Sequence, residues 1–269
     1  MNAFAIHFSF EFGTGLRDRS LLIMNYLLPL GFYAVMGGVM AEINPPFREI
    51  LIPAMVAFAV LSGAMLGLPG PLVSAREAGI FRSYRINGVP TLPILTIPAL
   101  TTLVHVAVTS AIVAVTAPVL FGAPSPTDWP SFLLVFVLLA AASTGLGLLI
   151  GVVSSSNQMT VLWSQLVFLA SILLGGMMVP TSMLPVAFRK IGLLLPTTYA
   201  MNAFQSLLPN GSASFDPIWS VAILAAGAVL AFGLATYLFN WDNRNSTRRG
   251  HPLMGLLALA PYVVGAVLL

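Results

Sequence analysis

The placement of charged residues constrains this chain more than any other feature. No Asp, Glu, Lys or Arg occurs between Arg19 and Glu42, Glu49 and Arg76, Arg85 and Asp128, Asp128 and Arg189, or Asp216 and Asp242. A helix needs about 20 mainly apolar residues to cross ~30 Å of hydrocarbon. Every block reaches that length. The block from Asp128 to Arg189 reaches it twice, because the polar run Ser154-Ser155-Ser156-Asn157-Gln158 interrupts it. The sequence therefore predicts six spans, over residues 20–41, 50–72, 92–120, 131–153, 159–179 and 218–240. A last apolar stretch, 253–269, measures about 25 Å as an α-helix with Pro261 near its middle. It has no polar face with which to lie flat on a surface and is read as a seventh crossing.

Composition supports the same class. Charged residues make up 7 % of the chain, against roughly 25 % in a soluble domain, and the mean hydropathy is +0.96. A soluble globule could not cover itself with so few charges. A transmembrane barrel would show short alternating segments instead of long apolar runs. The expectation is an all-α, polytopic integral membrane helical bundle forming a single domain over 1–269. Cysteine is absent, which removes disulfides, thiolate metal sites and cysteine nucleophiles. Orientation follows from Lys/Arg asymmetry. With the N-terminus inside, Arg17, Arg19, Arg76, Arg82, Arg85, Arg244, Arg248 and Arg249 are cytoplasmic, and only Arg48, Arg189 and Lys190 fall outside. The net charge of +3 and pI near 9.6 are thus explained by topology; they do not imply a nucleic-acid partner. An arginine-dominated basic set with abundant Ala, Gly and Pro suggests a GC-rich bacterial genome and hence the inner (plasma) membrane.

Residues 1–18 lack the basic start of a cleavable signal peptide. Ile6 to Phe12 alternates as a strand would, but an isolated strand beside a bilayer leaves its backbone unpaired. Read as a helix, the segment aligns His7, Glu11, Thr14 and Asp18 on one polar stripe beside Phe4, Phe8, Phe12 and Leu16, which suits a helix lying in the cytoplasmic interface. His7, Glu11, Arg17 and Arg19 form the predicted N-terminal interface.

Several chemistries are missing. Intramembrane charges are costly, at least ~2.5–3.5 kcal/mol each, and mark function where they occur; the six span cores contain none. His105 is the lone titratable group at depth and reads as a packed residue. Neither a zinc-binding His-Glu-x-x-His, a Gly-x-Ser-x-Gly elbow nor a phosphate loop is present, since Lys190 follows no glycine-rich run. No catalytic, cofactor-binding or metal-ligating residues are expected, and any transport must draw its energy from another subunit.

Three segments, in order, resemble the membrane subunit (permease) of type 2 ABC exporters. They are Arg17-Asp-Arg-Ser-Leu-Leu with Leu28-Pro29-Leu30; Arg76-Glu77-Ala-Gly79-Ile-Phe-Arg82-Ser-Tyr-Arg85-Ile-Asn-Gly-Val-Pro90; and Gly175-Gly176-Met-Met-Val-Pro180 with Leu184-Pro185 and Leu195-Pro196-Thr-Thr-Tyr199. The resemblance covers about residues 1–250. It implies that 74–90 is a cytoplasmic coupling helix, with Arg76, Glu77, Gly79, Arg82, Arg85 and Pro90 contacting an ATPase. It implies also that 180–200 is an outer hairpin in which Gly175, Gly176, Pro180, Pro185, Pro196 and Tyr199 help close the pathway. The residues alone agree with a hairpin: three prolines interrupt helix there, and Arg189 and Lys190 lie outside against the charge rule. Implied partners are a dimer of soluble ABC ATPase subunits, which hold ATP and Mg, and a second copy or sister permease within the lipid bilayer. Two features depart from the family: Gln205 stands where many relatives carry arginine, and relatives usually end soon after span six.

Met55, Phe58, Met65, Trp163 and Phe168 are candidate pathway-lining residues, because methionine and aromatic side chains make adaptable apolar surfaces. Gly145, Gly147 and Gly151 predict close helix packing. The few polar groups in the spans favour an apolar or amphipathic substrate, drug-like or lipid. The competing expectation is a membrane scaffold or assembly factor that transports nothing.

Overall fold

A computed structural model describes residues 3–211, 213–242 and 250–269. Arg244, Arg248 and Arg249 lie outside the described residues. The described chain is helical without strands, and six of its helices are long and apolar enough to cross a membrane.

Helix α1 (Ala3–Gly15) precedes the spans. Helices α2 (Arg19–Ile43), α3 (Phe47–Glu77), α5 (Thr91–Phe121), α6 (Trp129–Val153), α7 (Asn157–Leu174) and α10 (Pro217–Leu238) are the six long ones. Short helix α4 (Ile80–Ile86) links α3 to α5, and α8 (Val186–Gly192) and α9 (Pro196–Gln205) link α7 to α10. A 3-10 helix over Pro252–Leu259 and α11 (Ala260–Leu268) end the chain.

Helix α3 is the axis of the bundle. All its residues from Leu51 to Leu61 are buried, and α5, α6, α7 and α9 pack around it. In hydrocarbon, apolar contact alone does not drive helices together, so close backbone approach and polar ties matter more. Gly147 of α6 faces the Ala64 carbonyl of α3, where a Cβ would come within 2.1 Å. Any larger residue would force the two helices apart.

Two π-helical turns face each other at this junction, Ile23–Leu27 in α2 and Ser62–Gly67 in α3. A π turn shifts the hydrogen-bond register and leaves carbonyls short of a donor, which lipid cannot supply. Hydroxyls on neighbouring helices supply it instead. Ser62 Oγ donates to the Met24 carbonyl, and Thr109 Oγ1 donates to the Asn25 carbonyl at 2.7 Å.

Several boundaries differ from those read in the sequence. Span two was bounded at residue 72, but its helix continues through Pro69 and Pro71 to Glu77. Pro69 directly follows the π turn, where the ladder has already been offset, so its missing N–H does not break the helix. Span five ends at Leu174 instead of 179, because Gly176 takes a left-handed conformation (φ 81°) and reverses the chain. Span six begins at Pro217 and ends at Leu238, with Asp216 capping its first turn.

The C-terminal segment is the largest geometric difference. It is not the uniform α-helix of the sequence reading. Eight residues of 3-10 helix at about 2.0 Å each, followed by nine of α-helix at about 1.5 Å each, extend roughly 30 Å. The α-helix restarts at Ala260 with Pro261 in its first turn, where a missing N–H costs nothing. The segment runs antiparallel to α10: Gly250 adjoins Leu238, Tyr262 adjoins Gly227 and Gly265 adjoins Ile223.

Candidate functional site

One end of the bundle gathers α1, α4, the C-terminal turns of α3 and α6 and the end of α10. Arg17, Arg19, Arg76, Arg82 and Arg85 all lie there; Arg48, Arg189 and Lys190 lie at the opposite end.

At the arginine-rich end, 74–90 is not the single short helix of the sequence reading. Residues up to Glu77 complete α3, and Gly79, left-handed at φ 75°, turns the chain into the seven-residue α4. Phe81 anchors α4. It is 4 % exposed and packs on Phe239 at the end of α10, with ring centroids 5.4 Å apart. Tyr84 meets His7 of α1 edge-on at 6.1 Å. Glu77, Arg82, Arg85 and Pro90 are exposed around this anchor, so α4 is a charged projection fastened to three elements.

Arg76 does not belong to that exposed face, a correction to its predicted docking role. It is buried, and its guanidinium donates to the carbonyls of Val152, at 2.9 Å, and Ser154. The last four carbonyls of a helix have no partner in the helix, and its C-terminus favours a cation. Arg76 therefore caps α6 from α3. Nearby, the Asn157 amide donates to Ser74 Oγ at 3.0 Å, closing α7 onto the same turn.

Helix α1 packs against α5. Phe12 stacks on His105 at 4.8 Å and Phe8 on Phe12 at 6.2 Å, while Tyr26 Oη shares a proton with His105 Nδ1 at 2.7 Å. His105 is thus a packed residue, as its isolation in the sequence suggested. The predicted polar stripe is shorter than expected. Asp18 lies beyond α1 and instead accepts from the Ser20 and Leu21 amides, starting α2. Leu16 also lies outside α1. His7 and Glu11 line a cavity of about 220 Å³ beneath α1, together with Asn25, Thr102, Tyr84 and His105. Burial pushes the Glu11 carboxyl above the usual carboxylate range, and neighbouring His7 partly opposes the rise. Arg17 and Arg19 are exposed where α1 turns into α2.

At the opposite end, residues 175–205 form a hairpin that is longer than predicted. Gly175 closes it: a Cβ there would fall 2.3 Å from the Ser171 carbonyl and from Thr197 Oγ1. The chain turns through Pro180 and a 3-10 turn at Thr181–Met183, then Pro185 starts α8 and Pro196 starts α9. Gly192 touches the Leu174 carbonyl, the end of α7. Leu195 and Pro196, however, share a cavity with Leu166 and Val167, roughly two turns further down α7. Helix α9 then climbs back, and the Leu207 carbonyl accepts from the Thr127 amide in the α5–α6 loop at 2.8 Å. The connection re-enters the bundle before returning to its end. Tyr199 is fully buried in α9 and donates to the Leu193 carbonyl at 2.8 Å; its hydroxyl also reaches the Tyr262 carbonyl at 3.3 Å.

The predicted pathway residues divide. Met55, Phe58 and Met65 are at most 3 % exposed inside α3, with Phe58 stacked on Phe32 at 4.2 Å and edge-on to Phe168 at 5.6 Å. They are buried in the core of the chain, where the central position of α3 encloses them. Trp163 is half-exposed on α7. No sequence signal marks the capping by Arg76 or the anchoring by Phe81, since both depend on which helix ends meet.

The family model described as ABC-2 type transporter matches residues 3–208. The chain belongs to the ABC-2 type transporter family. It is 24 % identical over 234 residues to the "Putative transport permease YvfS" of Bacillus subtilis (strain 168), covering 83 % of this chain and 91 % of the relative. No solved structure matches it. The ABC-2 match runs from α1 through α9 and stops short of α10 and the C-terminal segment. Membership makes the chain a multi-pass membrane subunit of a transporter, in a family whose members generally work with an ABC ATPase.

Proposed function

We infer that this chain is the permease of an ATP-driven exporter for an apolar or amphipathic substrate, with its N-terminus in the cytoplasm and ATP hydrolysed by a separate subunit. The observation that carries the reading is α4: a short helix with exposed Arg82 and Arg85, held by Phe81 against the end of α10 and by Tyr84 against α1. A force on α4 reaches three elements through packed contacts. Two ATPase subunits would engage the α4 helices of two permease copies, or of this chain and a sister permease. ATP binding would draw those helices together and shift the spans. The 175–205 hairpin, seated among α3, α6, α7 and α10, is the outer closure of the pathway in this reading. The distribution of arginines supports the orientation, because their end of the bundle is the one retained in the cytoplasm.

The test is charge reversal on α4 and at the turn that leads into it. Arg82→Glu on α4 and Glu77→Lys, the last residue of α3, alter exposed side chains at the arginine-rich end without touching the apolar core of the spans. Both variants should insert normally, yet each should lose most of its association with the ATPase subunit and the ATP-dependent activity of the complex. Retention of both properties in both variants would remove α4 from coupling.

A further inference from the structure

A cavity of about 470 Å³ lies within this one chain, between α6, α7, the deep end of the hairpin and the C-terminal segment. Its walls are Leu149 and Val153 of α6, Val167 of α7, Leu195 of the hairpin, and Gly255 and Leu259 of the C-terminal segment. The volume is that of an ordinary small-molecule pocket, and such pockets combine an apolar lining with a few polar groups. Here the polar groups sit at one end, where Ser154 and Ser155 line the cavity next to the Arg76 cap. Ser154 is 5 % exposed, and its Oγ has no hydrogen-bond partner.

The medium at the opening identifies the occupant. The cavity opens between α7 and the C-terminal segment, at Met159, Trp163, Leu166, Leu253 and Leu256, all more than a third exposed. These side chains continue the apolar outer face of a span, which hydrocarbon covers. A cleft with such walls, at the depth of lipid tails, takes up an acyl chain more readily than a water-soluble ligand. Its serine-lined end is level with the arginine-rich end of the bundle, where the ester and headgroup of a lipid in that leaflet reside. Trp163 at the opening suits the same boundary, since tryptophan favours the zone between tails and headgroups.

The geometry points to a binding site for one acyl chain of a membrane phospholipid in this cleft, separate from any pathway formed between two permease copies. The C-terminal segment, beyond the residues matched by the family, supplies one wall. Leu194, Leu195 and Pro196 supply another, so a bound chain packs directly under the deep end of the hairpin.

The experiment uses the full chain reconstituted in phosphatidylglycerol vesicles that contain a phospholipid with a photoreactive acyl chain. After photolysis the cross-linked peptides are mapped. In parallel, the protein is extracted into detergent, delipidated, and its retained lipid counted by native mass spectrometry. Wild type should cross-link at Leu149, Leu195 or Leu259 and retain about one phospholipid per chain. Val167→Trp and Leu259→Trp, which fill the cleft from two different walls, should each lose at least ~80 % of that retention while remaining monodisperse. Cross-links confined to outward residues such as Leu162 and Leu169 would overturn the site. So would equal retention in wild type and both filled variants. Because the cross-link map is read on wild type, a filled variant that failed to fold would leave it decisive.

Discussion

Replacing Arg76 separates a structural role from a coupling role at the most informative position. Arg76→Ala removes charge-assisted hydrogen bonds to the Val152 and Ser154 carbonyls. A hydrogen bond to a charged group contributes about 1.5–3 kcal/mol, and a buried group left unpaired costs a similar amount. The Val152 carbonyl lies in the last turn of α6 and has no substitute donor within the helix. The loss should therefore be roughly 3 kcal/mol or more. At about 2–4 °C per kcal/mol for chains of this size, the melting midpoint should fall by roughly 6–12 °C. Arg82→Ala, on an exposed side chain, should stay within about 0.5 kcal/mol of wild type. The assay is thermal unfolding in detergent, followed by fluorescence-detected size exclusion at fixed lipid content. An Arg76→Ala midpoint matching that of Arg82→Ala would refute the capping argument and return Arg76 to the exposed coupling face.

Other expectations follow from particular contacts. Gly147→Leu places a side chain against the Ala64 carbonyl and should prevent close packing of α6 on α3, abolishing recovery of monodisperse protein; normal yield would contradict the fold. Tyr199→Phe deletes the hydroxyl that joins α9 to the Leu193 and Tyr262 carbonyls, and should cost about 1–2 kcal/mol in the same melting assay. Glu11 has a raised folded-state value, so its contribution to the docking of α1 is fully present below the unfolded value of 4.5 and is lost as pH rises through the folded one. A spin label at Phe10→Cys should show α1 loosening over that range, and Glu11→Gln should flatten the response. A cysteine added after Leu269 should react with an impermeant reagent on intact cells, since the 3-10 stretch gives the last segment the reach to cross. Labelling only after the cells are opened would show that it does not.

Much of the fold was legible because hydrocarbon tolerates so few charges. Arg19, Glu42, Glu49, Arg76, Arg85, Asp128, Asp216 and Asp242 bracket apolar blocks that became long helices. Local backbone chemistry was partly legible. Gly176 and Pro180 marked the hairpin, yet its start was misplaced because span five looked apolar through Val179. Span two was ended at residue 72, yet a π turn lets its helix run on through Pro69 and Pro71 to Glu77, and π turns leave no mark in hydropathy. Side-chain roles set by tertiary contact were not legible. Arg76 and Arg82 are six residues apart in one basic stretch; only the arrival of α6 buries the first and leaves the second exposed. Met55, Phe58 and Met65 read as lining because nothing in the sequence shows that α3 is enclosed on all sides.

The central claim is that α4 is where a soluble ATPase pulls on this permease, and cross-linking from α4 tests it most directly. The chain is naturally free of cysteine, so Ser83→Cys on the exposed face of α4 and Ser125→Cys in the α5–α6 loop place single probes at opposite ends of the bundle. A short heterobifunctional reagent is applied to membranes of the source cells expressing each variant, and the captured protein is identified by mass spectrometry. The account predicts that Ser83→Cys captures a soluble protein containing a Gly-x-x-x-x-Gly-Lys-Ser/Thr phosphate loop and that Ser125→Cys does not. Capture of that ATPase from Ser125→Cys and not from Ser83→Cys would contradict it.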